Sequence, residues 1–213
     1  MALIIGVVSQ KGGVGKSTVA RLIAREYADN ELNVLIADLD LSQSTSFAWN
    51  GRRLENDLEP AIAVQQFRKV DAVLKLQDNY DVIVFDGAPH ATRQTLEIAR
   101  HANMIVIPTG TSLDDLIPTV QLAHELRKNS VPVKKIGVLF SRVGNSQVEM
   151  DEAAEYIQMA GYQLLSGAIP ERTAYRRASD AGKAATETTH ASTNERADEV
   201  VQAVINHVEK LLS

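Results

Sequence analysis

Residues 3–18 read Leu3-Ile4-Ile5-Gly6-Val7-Val8-Ser9-Gln10-Lys11-Gly12-Gly13-Val14-Gly15-Lys16-Ser17-Thr18. A β-rich apolar run, Leu3 to Val8, opens into a glycine loop ending in Lys-Ser, and a helical stripe of Val19, Leu22, Ile23 and Tyr27 follows. Strand, glycine loop, Lys-Ser and helix in this order form the pattern of a phosphate-binding loop. The glycines let backbone N–H groups close around phosphate oxygens, and the helix N-terminus adds the positive end of its dipole. Lys16 is placed to hold the β- and γ-phosphates. Ser17 is placed to put its hydroxyl on Mg²⁺, a hard ion that keeps several waters and takes one or two protein oxygens. Gly12, Gly13, Val14, Gly15 and Thr18 complete the cradle. A glycine-rich βα turn without ligand is the alternative.

Working outward, further short apolar runs bounded by turn residues read as strands: Val34 to Ala37, Ala61 to Val64, Val82 to Phe85, Met104 to Ile107, Ile136 to Phe140 and Tyr162 to Ala168. Most are solid rather than alternating, as expected of parallel strands covered on both faces. Between them lie helical stripes, Leu96-Ala99 and Leu116-Val120-Ala123-Leu126. The last stripe, Ala197-Val200-Val201-Val204-Ile205-Val208-Leu211-Leu212, has Ser192 and Thr193 as candidate caps, and Thr186 to His190 reads as a polar loop before it. The alternation predicts an α/β fold with a doubly wound, mostly parallel sheet flanked by helices. At 213 residues, against roughly 150 per domain, one domain spanning 1–213 is expected.

Composition narrows the chemistry. With 45% hydrophobic and 23% charged residues the chain is of globular type. It has no cysteine, which excludes disulfides, thiolate zinc sites, cysteine-ligated clusters and cysteine nucleophiles. The 22 basic and 27 acidic residues give a net charge of −5, so any nucleic-acid contact has to be a local patch. The chain starts without a basic leader and has no run approaching the roughly 20 apolar residues of a membrane span. A soluble cytoplasmic protein is expected.

The loop departs from the common pattern at its start, with Gln10 where a glycine is usual and Lys11 directly before the paired glycines. Here the sequence resembles the deviant Walker A family, Lys-Gly-Gly-x-Gly-Lys-Ser/Thr, of ParA and MinD ATPases and the nitrogenase iron protein. The resemblance implies a P-loop ATPase using ATP and Mg²⁺. It makes Lys11 a lysine that crosses a dimer interface to the partner's nucleotide, where a second cation stabilises the transferring phosphoryl group. Ala37-Asp38-Leu39-Asp40-Leu41-Ser42-Gln43 looks like the family's Asp-x-Asp-Pro-Gln switch, with Leu41 in the proline position and one residue intervening before Gln43. By resemblance Asp40 positions or activates the attacking water and Asp38 lies near Mg²⁺. The bland alternative is that the pair caps a helix starting near Ser42. Val82 to Phe85 followed by Asp86 has the Walker B form, so Asp86 is the Mg²⁺ acid through water. Gly87-Ala88-Pro89 resembles a second switch.

Ile169-Pro170-Glu171-Arg172 resembles the family's adenine-side loop, and Arg142, after Ser141, stands where another base-side residue is found. From Arg172 to Lys183 four cations, Arg172, Arg176, Arg177 and Lys183, face the single acid Asp180, a local excess of +3. ParA-type ATPases bind DNA nonspecifically through basic residues in this part of the chain, and phosphate contacts need charge without base readout. A solvated helix face is the alternative.

The sequence most resembles short plasmid-partition ParA proteins of the ParF kind, because the glycine loop begins within a dozen residues and a helix-turn-helix domain ahead of it is not expected. The absent cysteines set aside the iron protein and Mrp-type scaffolds. The terminal stripe, mixed in charge, reads as core packing rather than a basic membrane helix. The resemblance implies a homodimer formed on ATP, nonspecific DNA binding, a nucleoid-associated location, and hydrolysis stimulated by a centromere-binding adaptor protein. Cargo-positioning ATPases of carboxysomes or chemoreceptor arrays, a polymer-forming protein, and a dethiobiotin synthetase-like ligase remain as alternatives.

Overall fold

Successive residues of each central strand point to opposite faces, and both faces are apolar. Ile5, Val7, Val34, Ile36, Val82, Val84, Met104 and Val106 enter one core; Ile4, Val8, Leu35, Ala37, Ile83, Phe85, Ile105 and Ile107 enter the other. A sheet buried on both sides needs helices on both sides, and the sequence supplies them.

The computed structural model describes residues 1–90 and 92–213. In chain order the elements are β1 (Leu3–Val7), α1 (Lys16–Asp29), β2 (Val34–Asp38), α2 (Thr45–Glu55), β3 (Ala63–Gln66), α3 (Val70–Leu74), β4 (Val82–Asp86), α4 (Thr92–His101) and β5 (Met104–Thr109). They continue with α5 (Leu113–Lys128), β6 (Ile136–Val143), α6 (Gln147–Met159), β7 (Gln163–Pro170), α7 (Thr173–Asp180) and α8 (Ala191–Leu212). The sheet is parallel throughout, in the order β3-β2-β4-β1-β5-β6-β7. The connection from β1 runs to one side, to β2, whereas the connection from β4 returns across β1 to β5. Strand order therefore reverses at β1, and a crevice opens at its carboxyl end, the usual ligand position in such sheets.

Helices α1, α2, α7 and α8 contribute to one core, and α3, α4, α5 and α6 to the other. Gly6 permits the close approach of α4, because a Cβ there would lie 2.5 Å from Ile98 Cγ2. The stripe of α8 is spent on the core: Ala197, Val200, Val201 and Val204 are wholly buried and Val208 nearly so. Among the described residues no helix is long and apolar enough to cross a membrane.

The expected strands are all present, with β3 displaced two residues toward its carboxyl end. Three local expectations are corrected. Helix α8 begins at Ala191, so Ser192 and Thr193 lie in its first turn. Its entry is instead held by Asn194, whose Oδ1 accepts the Thr188 N–H at 2.9 Å and the Thr188 hydroxyl at 2.6 Å. The segment 186–190 is not simply a polar loop, since 185–187 form a 3₁₀ turn and Glu187 pairs with the buried Arg53 at 2.9 Å. Helix α2 starts at Thr45 rather than near Ser42, after a left-handed Ser44 with φ of 51°.

Candidate nucleotide-binding site

The glycine loop leaves β1 and enters α1 at the switch point. Gly13 and Gly15 adopt φ of 79° and 92°, which disfavour any side chain. A Cβ on Gly15 would in addition lie 2.3 Å from Ser141 Oγ. Ser141 is fully buried at the end of β6, and among the described residues its hydroxyl has no hydrogen-bond partner. An orphaned buried hydroxyl beside an open glycine cradle is the signature of a pocket shaped for a polar ligand. Lys16 folds back over the loop, Nζ donating to the Lys11 carbonyl at 3.2 Å. Burial lowers its pKa, while Asp86 and Asp40 oppose that shift. A lysine held there on a structural carbonyl is ready to exchange that bond for phosphate oxygens.

The two buried acids are brought together by register. Asp38 and Asp86 are the last residues of adjacent strands β2 and β4, and they stand opposite each other in the ladder. Both lie beneath the cleft. Asp38 accepts the N–H groups of Ser46 and Phe47, each at 3.1 Å, and that of Asp40 at 3.1 Å. Two of these bonds, from Ser46 and Phe47, make Asp38 a cap for the start of α2, as the capping alternative expects of this member of the pair. Asp86 accepts the Ser46 hydroxyl at 2.7 Å. Burial raises the pKa of both acids, and for Asp38 the charge of Asp86 adds to the rise. Ser17 Oγ lies 2.7 Å from Thr45 Oγ1, which links the loop to α2.

Asp40 lines the cleft and closes a compact turn, Oδ1 accepting the Ser42 hydroxyl at 2.6 Å and the Gln43 N–H at 3.2 Å. The additional residue around Leu41 is absorbed in that turn. Among the described residues no three His, Asp or Glu side chains gather into an all-protein metal cage. A hydroxyl with one or two carboxylates beside a phosphate cradle is a donor set that fits Mg²⁺.

The cleft, about 510 Å³, runs from Gly12 and Gly13 past Lys16, Ser17 and Thr18 to Arg142, Pro170 and Arg172. Arg142, itself at φ of 57°, bridges the two ends: Nη1 donates to the Gly13 carbonyl at 2.7 Å and Nε to Glu171 at 2.7 Å. Pro170 ends β7 and Arg172 precedes α7. Most of the sequence-derived nucleotide-site residues thus converge on one crevice, with Val14, Asp38, Asp86 and Lys11 as exceptions; of the basic stretch Arg172 and Arg176 border it, and Arg177 and Lys183 do not. Val14 turns its side chain into the protein, 6% exposed. Asp38 and Asp86 are buried and do not line the cleft, whereas Ser17 and Thr45 do. Lys11 borders a neighbouring groove, where its ammonium meets Asp115 Oδ1 at 2.6 Å.

Residues 5–185 match the family described as the CobQ/CobB/MinD/ParA nucleotide binding domain. The chain belongs to that family. Among curated relatives of this MinD/ParA-type chain, the carboxysome distribution protein A of Gloeobacter kilaueensis is 28% identical over 82% of this chain and 80% of its own. Protein ParA of Rhizobium radiobacter is 25% identical over 81% and 80%. Among solved structures, septum site-determining MinD of Pyrococcus horikoshii, complexed with Mg-ADP, superposes with a TM-score of 0.75 at 19% identity, covering 96% of each chain. That likeness shows the fold.

Of the basic stretch, Arg172, Arg176 and Arg177 are exposed at the start and along α7, whereas Lys183 is half-buried beyond its end. Two are engaged: Arg172 donates to Asn145 Oδ1 at 2.8 Å, and Arg176 pairs with Glu171, the acid that also holds Arg142.

Sequence reasoning passed over Arg21, Ser46, Trp49 and Arg53, which join the nucleotide side to α7. Trp49 is wholly buried, with the guanidinium carbons of Arg21 and Arg53 each 5.5 Å from its ring centroid, and its Nε1 donates to the Lys183 carbonyl at 3.1 Å. Arg53 donates to the Gly182 carbonyl at 3.2 Å and Arg52 to that of Ser179 at 3.2 Å. Burial lowers the Arg21 pKa to about 10, with Asp86 acting the other way. The signal in the sequence was an arginine one helical turn past Ser17, within an otherwise apolar stripe.

Proposed function

We propose that this chain is a DNA-partitioning ATPase that dimerises on ATP, binds DNA nonspecifically, and is released after hydrolysis stimulated by a centromere-bound adaptor. The observation that carries the reading is Lys11. It projects beside the mouth of the phosphate loop, 42% exposed, with its ammonium in an ion pair to Asp115, where a second protomer's nucleotide could be reached.

In this reading Gly12 to Thr18 cradle the phosphates, with Lys16 and Lys11 as the two cations on the transferring group. Asp40, at the cleft wall, orients the attacking water. Ser17, and Asp86 through water, would hold Mg²⁺, with Asp38 organising the switch around it. When bound, Mg²⁺ neutralises β- and γ-phosphate oxygens. Arg142, Pro170 and Arg172 border the base. Arg172, Arg176, Arg177 and Lys183 supply the DNA contacts, doubled in a dimer, and give the protein a nucleoid-associated location in the cytoplasm.

The test is light scattering with ATP, ADP and no nucleotide, alongside phosphate release. The wild-type chain is expected to dimerise only with ATP, and Lys16→Ala to lose both dimerisation and turnover. Dimerisation by Lys16→Ala equal to wild type would remove the reading. A cargo-positioning role is the second reading, favoured by the carboxysome distribution relative. The two share every step except the cargo, so identification of the adaptor bound by the ATP form separates them.

A further inference from the structure

Arg21 is a buried cation, 6% exposed, that the phosphate chemistry above leaves unused. Taking a guanidinium out of water costs several kcal/mol unless it is well paired. Its hydrogen bonds go to hydroxyls: Nε donates to Ser46 Oγ at 3.0 Å and Nη1 to Ser179 Oγ at 3.1 Å. The polarity of the first bond is fixed, because a guanidinium only donates. Ser46 therefore accepts from Arg21 and has a single proton to give, which goes to Asp86 Oδ2 at 2.7 Å. The Ser46 N–H is already committed to Asp38. Arg21, Ser46 and Asp86 form a one-way chain from α1 through α2 to the end of β4.

We propose that Arg21 is a positioning residue, which through Ser46 holds the Asp86 carboxylate in a single orientation so that Mg²⁺ and nucleotide meet a preformed acid. The inference rests on the nucleotide reading of the same cleft. Partners that orient a metal-holding acid typically contribute 10- to 100-fold in metal affinity. The second arm, to Ser179, ends on α7 and belongs to packing rather than to Asp86.

The test uses the full chain and N-methylanthraniloyl-ATP fluorescence over a Mg²⁺ titration, with thermal melting and steady-state hydrolysis measured in parallel. Arg21→Met and Ser46→Ala are each expected to raise the Mg²⁺ concentration for half-maximal binding about tenfold, and the double variant no further than the larger single effect. Analogue binding in EDTA stays within about twofold of wild type, and kcat falls more than KM rises. Arg21→Lys, which keeps a donor, lies nearer to wild type than Arg21→Met, and Ser179→Ala keeps the wild-type Mg²⁺ dependence. If Arg21→Met is too unstable to isolate, Ser46→Ala, which loses only a hydroxyl, carries the test. A folded Arg21→Met or Ser46→Ala chain with unchanged Mg²⁺ dependence assigns the network to packing and overturns the proposal. Additive effects of the two substitutions overturn the chain through Ser46. A wild-type protein whose analogue binding ignores Mg²⁺ overturns the nucleotide reading itself, and this proposal with it.

Discussion

Lys11 Nζ sits 2.6 Å from Asp115 Oδ1, so the lysine that distinguishes this phosphate loop is held within its own chain. Asp115 is itself fixed in the first turn of α5, where Oδ2 accepts the Ser112 hydroxyl at 2.8 Å. The ion pair is half-exposed, and such pairs contribute about 0–1 kcal/mol. In the proposed dimer its release would therefore be a small cost set against the partner's phosphates. Asp115→Asn is expected to lower the protein concentration for half-maximal ATP-dependent dimerisation by up to about fivefold. Lys11→Ala should abolish stimulated hydrolysis while nucleotide binding by the monomer persists. Sedimentation velocity and equilibrium nucleotide titration check the two.

Glu171 neutralises Arg142 and Arg176 at the cleft rim, and its hydrogen bond from Arg142 holds its pKa below the usual carboxylate value. Glu171→Gln leaves those cations uncompensated. Retention on nonspecific DNA should strengthen, and the slope of log K against log salt should steepen by about 0.9 for each added phosphate contact. The sign with pH follows from the depressed folded pKa. The contribution of Glu171 to stability is present above its unfolded pKa and is lost as pH falls through the lower folded value. Melting of wild type and Glu171→Gln should converge at acid pH.

Asp86 is buried with its pKa raised, so its charged form is disfavoured in the protein without metal. The folded state binds this proton more readily than the unfolded chain, and that contribution to stability grows as pH falls from neutral through the raised folded pKa. Asp86→Asn removes the buried charge and should raise the midpoint of metal-free melting by about 2–4 °C per kcal/mol relieved. The same substitution should abolish Mg²⁺-dependent nucleotide binding, a separation visible in melts with and without Mg-ATP.

Gly182 brings the end of α7 onto the backbone of α2. Its φ is 74°, and a Cβ there would lie 2.3 Å from the Arg53 nitrogen and 2.6 Å from its Cα. Gly182→Ala combines a left-handed backbone with a clash against main chain that cannot rotate away. A loss of about 2–4 kcal/mol is expected, measured by denaturant unfolding.

The loop, its lysines and the strand-end acids were legible because each is local to one strand and the turn that follows it. The ladder then pairs Asp38 with Asp86 without further information. What escaped the sequence depends on side chains meeting across distance. Arg21 and Ser46 are 25 residues apart, Ser46 and Asp86 40, and Trp49 and Lys183 134. A buried arginine in a helical stripe reads as an exception to the pattern until its partners are seen. The α8 caps were misplaced for a related reason: Ser192 and Thr193 have the right chemistry, but Thr188 and Asn194 already close the turn around the helix start.

The central claim is that ATP, by pairing two copies of the chain, assembles a DNA-binding face. The most direct measurement is retention of the purified chain on nonspecific double-stranded DNA, across a salt series, with ADP, with ATP, and with a hydrolysis-resistant ATP analogue. Retention should appear with ATP, persist with the analogue, be absent with ADP, and disappear for Arg176→Ala/Arg177→Ala and for Lys16→Ala. Equal retention in all nucleotide states, or none with the analogue under conditions where the chain is dimeric, would contradict it.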